Sequence, residues 1–332
     1  MLRFTTSINS VATANLVPAA LFWLVTAVLV LHASQAVALG ARDVGRQSLN
    51  LAPVNVGLPN GVVYFSEDLP RLVWVDLQQG LMYLLEQQAP GEFAQPVAIP
   101  VSLGKKGYGK RKEGDLLTPV GVYHVTSYLP DRQLDSKYGD GAFPVNYPSA
   151  FDILQRRTGS GIWLHGLPKG VASRPLLDSD GCVVVDNTTL GLLKPLIAPQ
   201  ETMVVLARAL TFTEQQPANY QTFLTTLEAW HEDWESLDHD RYLRHYAAEF
   251  TDMRRNLEAW QRYKRRVNGR KDWIKVELGK LSAIAHPEHP DLITVRYYQE
   301  YRSSNYNWHG WKQMLWREQE NGQWQIVYEG NR

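Results

Sequence analysis

The chain has 332 residues, room for two domains of ordinary size; at 44% hydrophobic it can build real cores but is too polar for a multi-span membrane protein. Lys+Arg and Asp+Glu both number 34, so the formal net charge is zero and nothing favours bulk attraction to nucleic acid. One cysteine, Cys182, excludes an intramolecular disulfide and a cysteine-rich zinc site.

Residues 16–31 form an almost unbroken apolar run, and Arg3 is the only charge before it. Ala36-Val37-Ala38 has the small-x-small form that signal peptidase prefers, so residues 1–38 read as a Sec-type signal peptide cut near Ala38. The run is shorter than the about twenty residues of a membrane span; an uncleaved anchor is the second reading, because residues out to Leu39 are mostly apolar. Either way the mature domains face outside the cytoplasm. An unpaired thiol is a liability there, which favours its being kept for chemistry.

Residues 39–60 are a loose lead-in. Short β-type runs follow at 61–65, 72–77 and 81–86, and Leu72–Leu77, Gln78-Gln79-Gly80, Leu81–Leu85 reads as a hairpin. Further strands are expected at 96–103 and 120–127, a spacing that suits a β sandwich or barrel-like fold. The loop 104–114 is rich in Gly and Lys but lacks the order of a phosphate-binding loop. It reads either as a solvated basic hairpin or as a guide for an anionic substrate through Lys105, Lys106, Lys110 or Lys112. Asp115 can pair with a backbone N–H at the following turn. Residues 128–160 read as a long loop punctuated by Pro130, Gly139, Gly141, Pro144 and Pro148, a candidate substrate rim.

Ile162-Trp163-Leu164-His165-Gly166 and, after a gap, Ser179-Asp180-Gly181-Cys182-Val183-Val184-Val185 place a histidine and the cysteine at the ends of two strands. A nearby imidazole can take the proton of a thiol whose pKa is ordinarily about 8.5 and leave a strong nucleophile. Gly181 permits a tight turn that aims the Gly181 and Cys182 amides at a developing oxyanion. Arg174, in the joining segment, suits a substrate carboxylate or is a plain surface residue. A helix is expected over 187–197 and a closing strand over 202–207, and 211–219 is the candidate linker.

His-Gly, a gap, then Ser-x-Gly-Cys resembles the signature of the L,D-transpeptidases, the YkuD-type catalytic domain. Gly114-Asp115-Leu116-Leu117-Thr118-Pro119-Val120-Gly121-Val122-Tyr123 resembles that family's second landmark. The resemblance implies a catalytic domain over 61–210 that acts on peptidoglycan stem peptides without a metal or cofactor, in the periplasm or cell envelope. It also implies that the Gly166 carbonyl orients His165, and that Ser179, Asp180, Arg174 and Tyr108 are candidate substrate contacts. Many members carry His at the position of Asp180 and Arg soon after the cysteine. Here a carboxylate and Val183-Val184-Val185 stand instead, and a carboxylate there would disfavour a thiolate. A papain-like arrangement is disfavoured because the cysteine follows the histidine.

Beyond the linker, Phe223, Leu227, Trp230, Trp234 and Leu237 recur at helical spacing. Tyr242, Tyr246 and Phe250 extend the pattern to a second helix, and Leu257, Trp260 and Tyr263 to a third. Strands are expected at 273–278, 292–301, 308–318 and 324–328. Helices followed by an antiparallel meander make residues 220–332 an α+β domain, similar to the nuclear-transport-factor-2-like (SnoaL-like) cone with a pocket. Most of the tryptophans lie here; they read as core, and some as pocket walls for a sugar or peptide. The basic run Arg254 to Lys271 reads as a solvated face or as a contact for anionic wall polymers. An exported YkuD-like domain with such a tail resembles the L,D-carboxypeptidases that set cell shape, with a catalytically impaired wall-binding scaffold as the alternative.

Overall fold

The computed structural model describes residues 57–89, 91–94, 96–213 and 215–331, all within one compact unit, so the expected signal peptide lies outside the described residues. The hairpin forms as expected: Arg71–Asp76 pairs antiparallel with Leu81–Ala89, with Trp74 opposite Tyr83. Met203–Ala207 lies parallel to Arg71–Asp76 and takes Gly121–His124 on its other edge. A second sheet orders Val183–Val185, Trp163–Gly166, Gly141–Pro144 and Leu129–Pro130 side by side. Strand alternation sorts the apolar residues. Val73, Val75, Val204 and Leu206 pack on Phe143, Leu164, Val183 and Val185 between the sheets. Leu72, Trp74, Met203 and Val205 face the other way, into a separate cluster.

The stretch 128–160 is more ordered than expected of a loop. Its prolines Pro130 and Pro144 stand at strand ends, where a missing N–H costs little. Ser149 and Asp152 form a reciprocal capping box that starts the short helix Ala150–Leu154.

The C-terminal part is α+β. Helix Ala218–Glu235 buries Tyr220, Phe223, Leu227, Trp230 and Trp234. Helix Leu257–Asn268 packs beside a six-stranded sheet whose strands Ile274–His286, His289–Ser303, Asn307–Glu318 and Trp324–Gly330 form the meander. The expected second helix stops at Leu243, and Tyr246–Thr251 is a strand parallel to Trp324–Gly330. A four-residue spacing satisfies both periods, so Tyr246 and Phe250 share a buried face in a strand as readily as in a helix.

The two parts are joined through buried groups. Val62–Phe65, expected as the first catalytic-domain strand, pairs instead with Ile274–His286, and Val62 and Phe65 share a cluster with Ile284 and the back of the Arg71–Asp76 sheet. Arg296, only 1% exposed, donates to the Gln200 carbonyl (3.2 and 3.0 Å) and to Gln200 Oε1 (3.0 Å) while stacking on Trp311. Burial pulls its pKa down to about 9. Phe151, on the capped helix, packs on His286 with ring centroids 4.4 Å apart.

Candidate active site

His165 and Cys182 lie on neighbouring parallel strands. The register pairs Leu164 with Val183 and His165 with Val184, so Cys182, one residue before its strand, falls beside Trp163. Leu164 and Val183 point into the core between the sheets. Alternation therefore turns Trp163, His165 and Cys182 to the opposite face, on strands about 4.8 Å apart. Cys182 is half-buried and His165 is buried. The Cys182 thiol donates to the Gly161 carbonyl at 3.4 Å.

His165 Nδ1 lies 2.7 Å from the Gly166 carbonyl oxygen. A carbonyl only accepts, so Nδ1 carries the proton and Nε2 keeps its lone pair for use as a base. The Tyr138 ring stands edge-on to the imidazole with centroids 5.1 Å apart and also covers Trp163 at 4.6 Å. Burial drives His165 down to about 4; the Gly166 hydrogen bond opposes this, and Arg174 and Lys137 add to it. Burial pushes the Cys182 thiol up to about 11, helped by Asp180 and opposed by a backbone hydrogen bond from Trp163 and by Arg174 and Lys110. At neutral pH the resting pair is thus a neutral thiol beside a neutral imidazole.

Gly181 has φ +125°, and a Cβ there would stand 2.8 Å from the Leu117 carbonyl oxygen, so the turn needs glycine. Ser179 braces this turn: its Oγ donates to the Cys182 carbonyl (2.7 Å) and accepts from the Gly181 amide (3.1 Å). The Gly181 amide expected at an oxyanion is therefore engaged, because the nearest hydroxyl takes it. Asp180 is exposed and paired with Lys105 Nζ at 3.0 Å. Arg174 donates from Nε to Asp178 Oδ2 (2.7 Å) and from Nη2 to the Asp178 carbonyl (2.5 Å), which leaves only part of its fork for a ligand. Tyr108 bridges to Thr118, and its ring lies 5.5 Å from the Arg208 guanidinium.

The Gly-Asp-x-x-Thr-Pro stretch is architectural in this fold. Asp115 accepts from Lys110 Nζ (2.8 Å) and from the amides of Arg111 (2.8 Å), Lys112 (2.9 Å) and Leu117 (3.3 Å). Burial would raise its carboxyl, but Lys110 and these amides hold it down at about 2. Thr118 Oγ1 accepts the Gly104 amide at 2.9 Å. Lys110 is thus a buried partner, not part of a solvated hairpin, because only its ammonium neutralises Asp115 from within.

A concavity of about 710 Å³ opens in the C-terminal part, with Trp234, Trp260, Lys264, Gln299, Tyr301 and Glu329 in its wall. Lys264 is buried there, with Nζ 4.8 Å from the Trp234 ring, 4.6 Å from Trp260 and 3.9 Å from Glu329 Oε1. Tyr246 donates to Glu329 Oε2 at 2.6 Å. Gln299 Oε1 is buried without a hydrogen-bond partner among the described residues. Lys264 follows Trp260 by four residues, so the helical spacing that marked the tryptophan as buried also put the lysine on that face. The reading of the basic run as a surface feature passed over that signal.

Cys182 and His165 thus share one face of adjacent strands in a mostly-β domain. Residues 70–205 match the model of the L,D-transpeptidase (YkuD) catalytic domain, and residues 222–330 match that of the Cds6 C-terminal NTF2-like domain; the chain carries these two domains in that order. Among solved structures it is similar to Bd1075 of Bdellovibrio bacteriovorus, at 26% identity and TM-score 0.66 over 83% of this chain and 97% of that one. It shares the fold of the helical cell shape determining protein Pgp2 of Campylobacter jejuni, at 23% identity and TM-score 0.63 over 84% of this chain and 96% of that one. A variant of Pgp2 aligns at 22% identity and TM-score 0.67. No curated protein matches the sequence. Among the described residues no helix is long and apolar enough to cross a membrane.

Proposed function

We propose that this protein is an exported, cysteine-dependent enzyme that cleaves the L,D bond before the terminal D-Ala of peptidoglycan tetrapeptide stems. The observation that carries the reading is the placement of Cys182 and His165 on one face of adjacent strands, with the Gly166 carbonyl on Nδ1, inside an L,D-transpeptidase domain. His165 Nε2 takes the thiol proton as Sγ attacks the carbonyl carbon. The Cys182 amide faces the oxyanion, and the Gly181 amide joins it once released from Ser179. The tetrahedral intermediate collapses, the C–N bond breaks, and D-Ala leaves with the proton from the imidazolium. Water then cleaves the thioester to give a tripeptide, or an amine takes the acyl group. The similarity to a cell-shape protein favours a cell-wall setting for this chemistry.

The proposed division is a signal segment at 1–38, lead-in 39–60, catalytic domain 61–210, linker 211–219 and C-terminal domain 220–332, with Val62–Phe65 lending its strand to the C-terminal sheet. The C-terminal concavity, with Lys264 at its wall and Lys271 and Lys312 nearby, supports binding of an anionic wall polymer or peptide. A second reading, a wall-binding scaffold with an impaired catalytic domain, draws on Asp180 beside the thiol and on the Gly181 amide being engaged.

Mass spectrometry of residues 39–332 with disaccharide-tetrapeptide decides, with and without a D-amino-acid acceptor and beside Cys182→Ala. Loss of D-Ala alone, acceptor included, marks a carboxypeptidase, and acceptor-dependent adducts mark a transpeptidase. Absence of any Cys182-dependent product, together with a Cys182 inert to carbapenem-type acylating probes, sinks the enzymatic reading in favour of the scaffold.

A further inference from the structure

We infer that Asn187 is a positioning residue of the thiol–imidazole site, whose side-chain amide holds the Gly166 carbonyl that selects the His165 tautomer. The inference rests on the acyl-transfer reading for its consequence, but its geometry and its test do not require turnover. Asn187 opens the short helix Asn187–Leu193 directly after the cysteine strand. The helix does not need its side chain as a cap. Asp186 already fills that role, accepting the Thr189 amide at 2.8 Å. The Asn187 amide instead turns back toward the histidine strand.

Its two ends have unambiguous partners. Nδ2 donates to the Leu167 carbonyl at 2.9 Å, and Oδ1 accepts the Asp140 amide at 3.0 Å. A backbone carbonyl cannot donate and a backbone amide cannot accept, so the orientation of the side-chain amide follows from its neighbours. Between these bonds, Oδ1 presses on two glycines. A Cβ on Gly166 would stand 2.0 Å from it, and a Cβ on Gly139 would stand 2.3 Å away. Both glycines are therefore the space that Asn187 occupies.

The consequence reaches the imidazole from two sides. The Gly166–Leu167 peptide is flanked on both sides, by the hydrogen bond to the Leu167 carbonyl of the next peptide and by the close approach of Oδ1 at the Gly166 Cα. The carbonyl of that peptide is the group that accepts from His165 Nδ1. Asp140 follows Tyr138 by two residues, and the Tyr138 ring stands edge-on to His165. One amide thus ties together the carbonyl that sets the proton position and the segment bearing the ring that limits imidazole rotation. An aliphatic side chain could fill the volume but could not grip either backbone group. If the Gly166 carbonyl swings away, the proton is free to move to Nε2, and that tautomer offers no base to Cys182.

The test reads the histidine directly. In folded wild-type protein, ring-nitrogen chemical shifts of His165, assigned against His165→Gln, are expected to show the Nδ1–H tautomer alone. Asn187→Ala and Asn187→Ser are expected to show mixed tautomers in a protein that still melts cooperatively. With disaccharide-tetrapeptide, turnover is expected to fall roughly 10–100-fold with KM little changed, the size of effect seen for groups that orient a working ligand. An unchanged Nδ1–H tautomer in either folded variant overturns the inference. Should both variants fail to fold, proton exchange at the Asn187 side-chain amide of the wild type decides. Exchange markedly slower than that of a free primary amide supports the grip, and free-amide exchange overturns it. A wild type with the expected tautomer but no turnover would defeat the enzymatic reading and leave the positioning role standing.

Discussion

The two domains each bury an ionisable group, His165 at 4% exposure and Lys264 at 8%, and they surround it in different ways. His165 meets a backbone carbonyl and the edge of a tyrosine; no carboxylate is among the groups acting on it, and burial carries it down to about 4. Lys264 is also lowered by burial, but Glu329 opposes the shift, and the faces of Trp234, Trp260 and Tyr242 lie within 5.4 Å of the ammonium. Desolvation alone yields a neutral base ready to receive a proton. Desolvation with a carboxylate and ring faces favours a held cation. The first arrangement suits proton transfer, and the second suits a fixed charge.

The largest expected effect breaks the catalytic half of the comparison. Cys182→Ala should abolish product formation, and His165→Gln should lower turnover by about 10²–10⁴-fold, the usual worth of a positioned proton acceptor. Release of D-Ala on stem peptides measures both. A His165→Gln protein that keeps most of its activity would show that another group takes the thiol proton.

The next test addresses the buried pair. Glu329→Gln strips Lys264 of its carboxylate while leaving it in place, and should cost about 3–5 kcal/mol in urea unfolding. Adding Lys264→Met to that variant should recover most of the loss, because no uncompensated charge then remains. A double variant no better than the single one would mean that Tyr246, hydrogen-bonded to Glu329, carries the cost instead. The catalytic domain has its own charged pair, Lys110 with Asp115, and Asp115→Asn should destabilise by about 3 kcal/mol for the same reason. Because the Asp115 carboxyl is depressed to about 2, its contribution is present above the unfolded carboxylate pKa of about 4 and fades as pH falls toward 2.

Much of this was legible in the sequence, and the exceptions share a cause. Short β-type runs either side of Gln78-Gln79-Gly80 marked Leu72–Leu77 and Leu81–Leu85, and glycine next to cysteine marked the turn that φ +125° at Gly181 requires. What was hidden depends on contacts between distant segments. Nothing local distinguishes Val62–Phe65 as a strand of the C-terminal sheet, since its partner lies more than two hundred residues away. The Tyr246–Phe250 spacing fits helix and strand alike, and only the pairing with Trp324–Gly330 decides between them. Asn187 read as a helix start because its partners, Asp140 and Leu167, come from two distant segments of the chain.

The resting charge state is tested by pH. With the thiol raised to about 11, alkylation of Cys182 by iodoacetamide should climb about tenfold per pH unit from 7 to 10, with no plateau near 8.5. Protonation of His165 is confined to the region below about 4, so it should leave no step between pH 5 and 8. A plateau reached below pH 7 would mean that the ion pair is already formed at rest. The contrast with the C-terminal domain would then fail.

The smallest effect concerns Asp180, whose charge raises the Cys182 thiol while Lys105 pairs with it at the surface. Its side chain is 76% exposed, so water and salt screen most of its field before it reaches the sulfur. Asp180→Asn should therefore speed Cys182 alkylation at pH 8 by no more than about threefold, and Lys105→Ala should slow it by a similar or smaller factor. Both effects should shrink as ionic strength rises. An acceleration of a hundredfold in Asp180→Asn would place the carboxylate against the thiol in solution, and would make this one side chain, more than burial, the reason the nucleophile rests protonated.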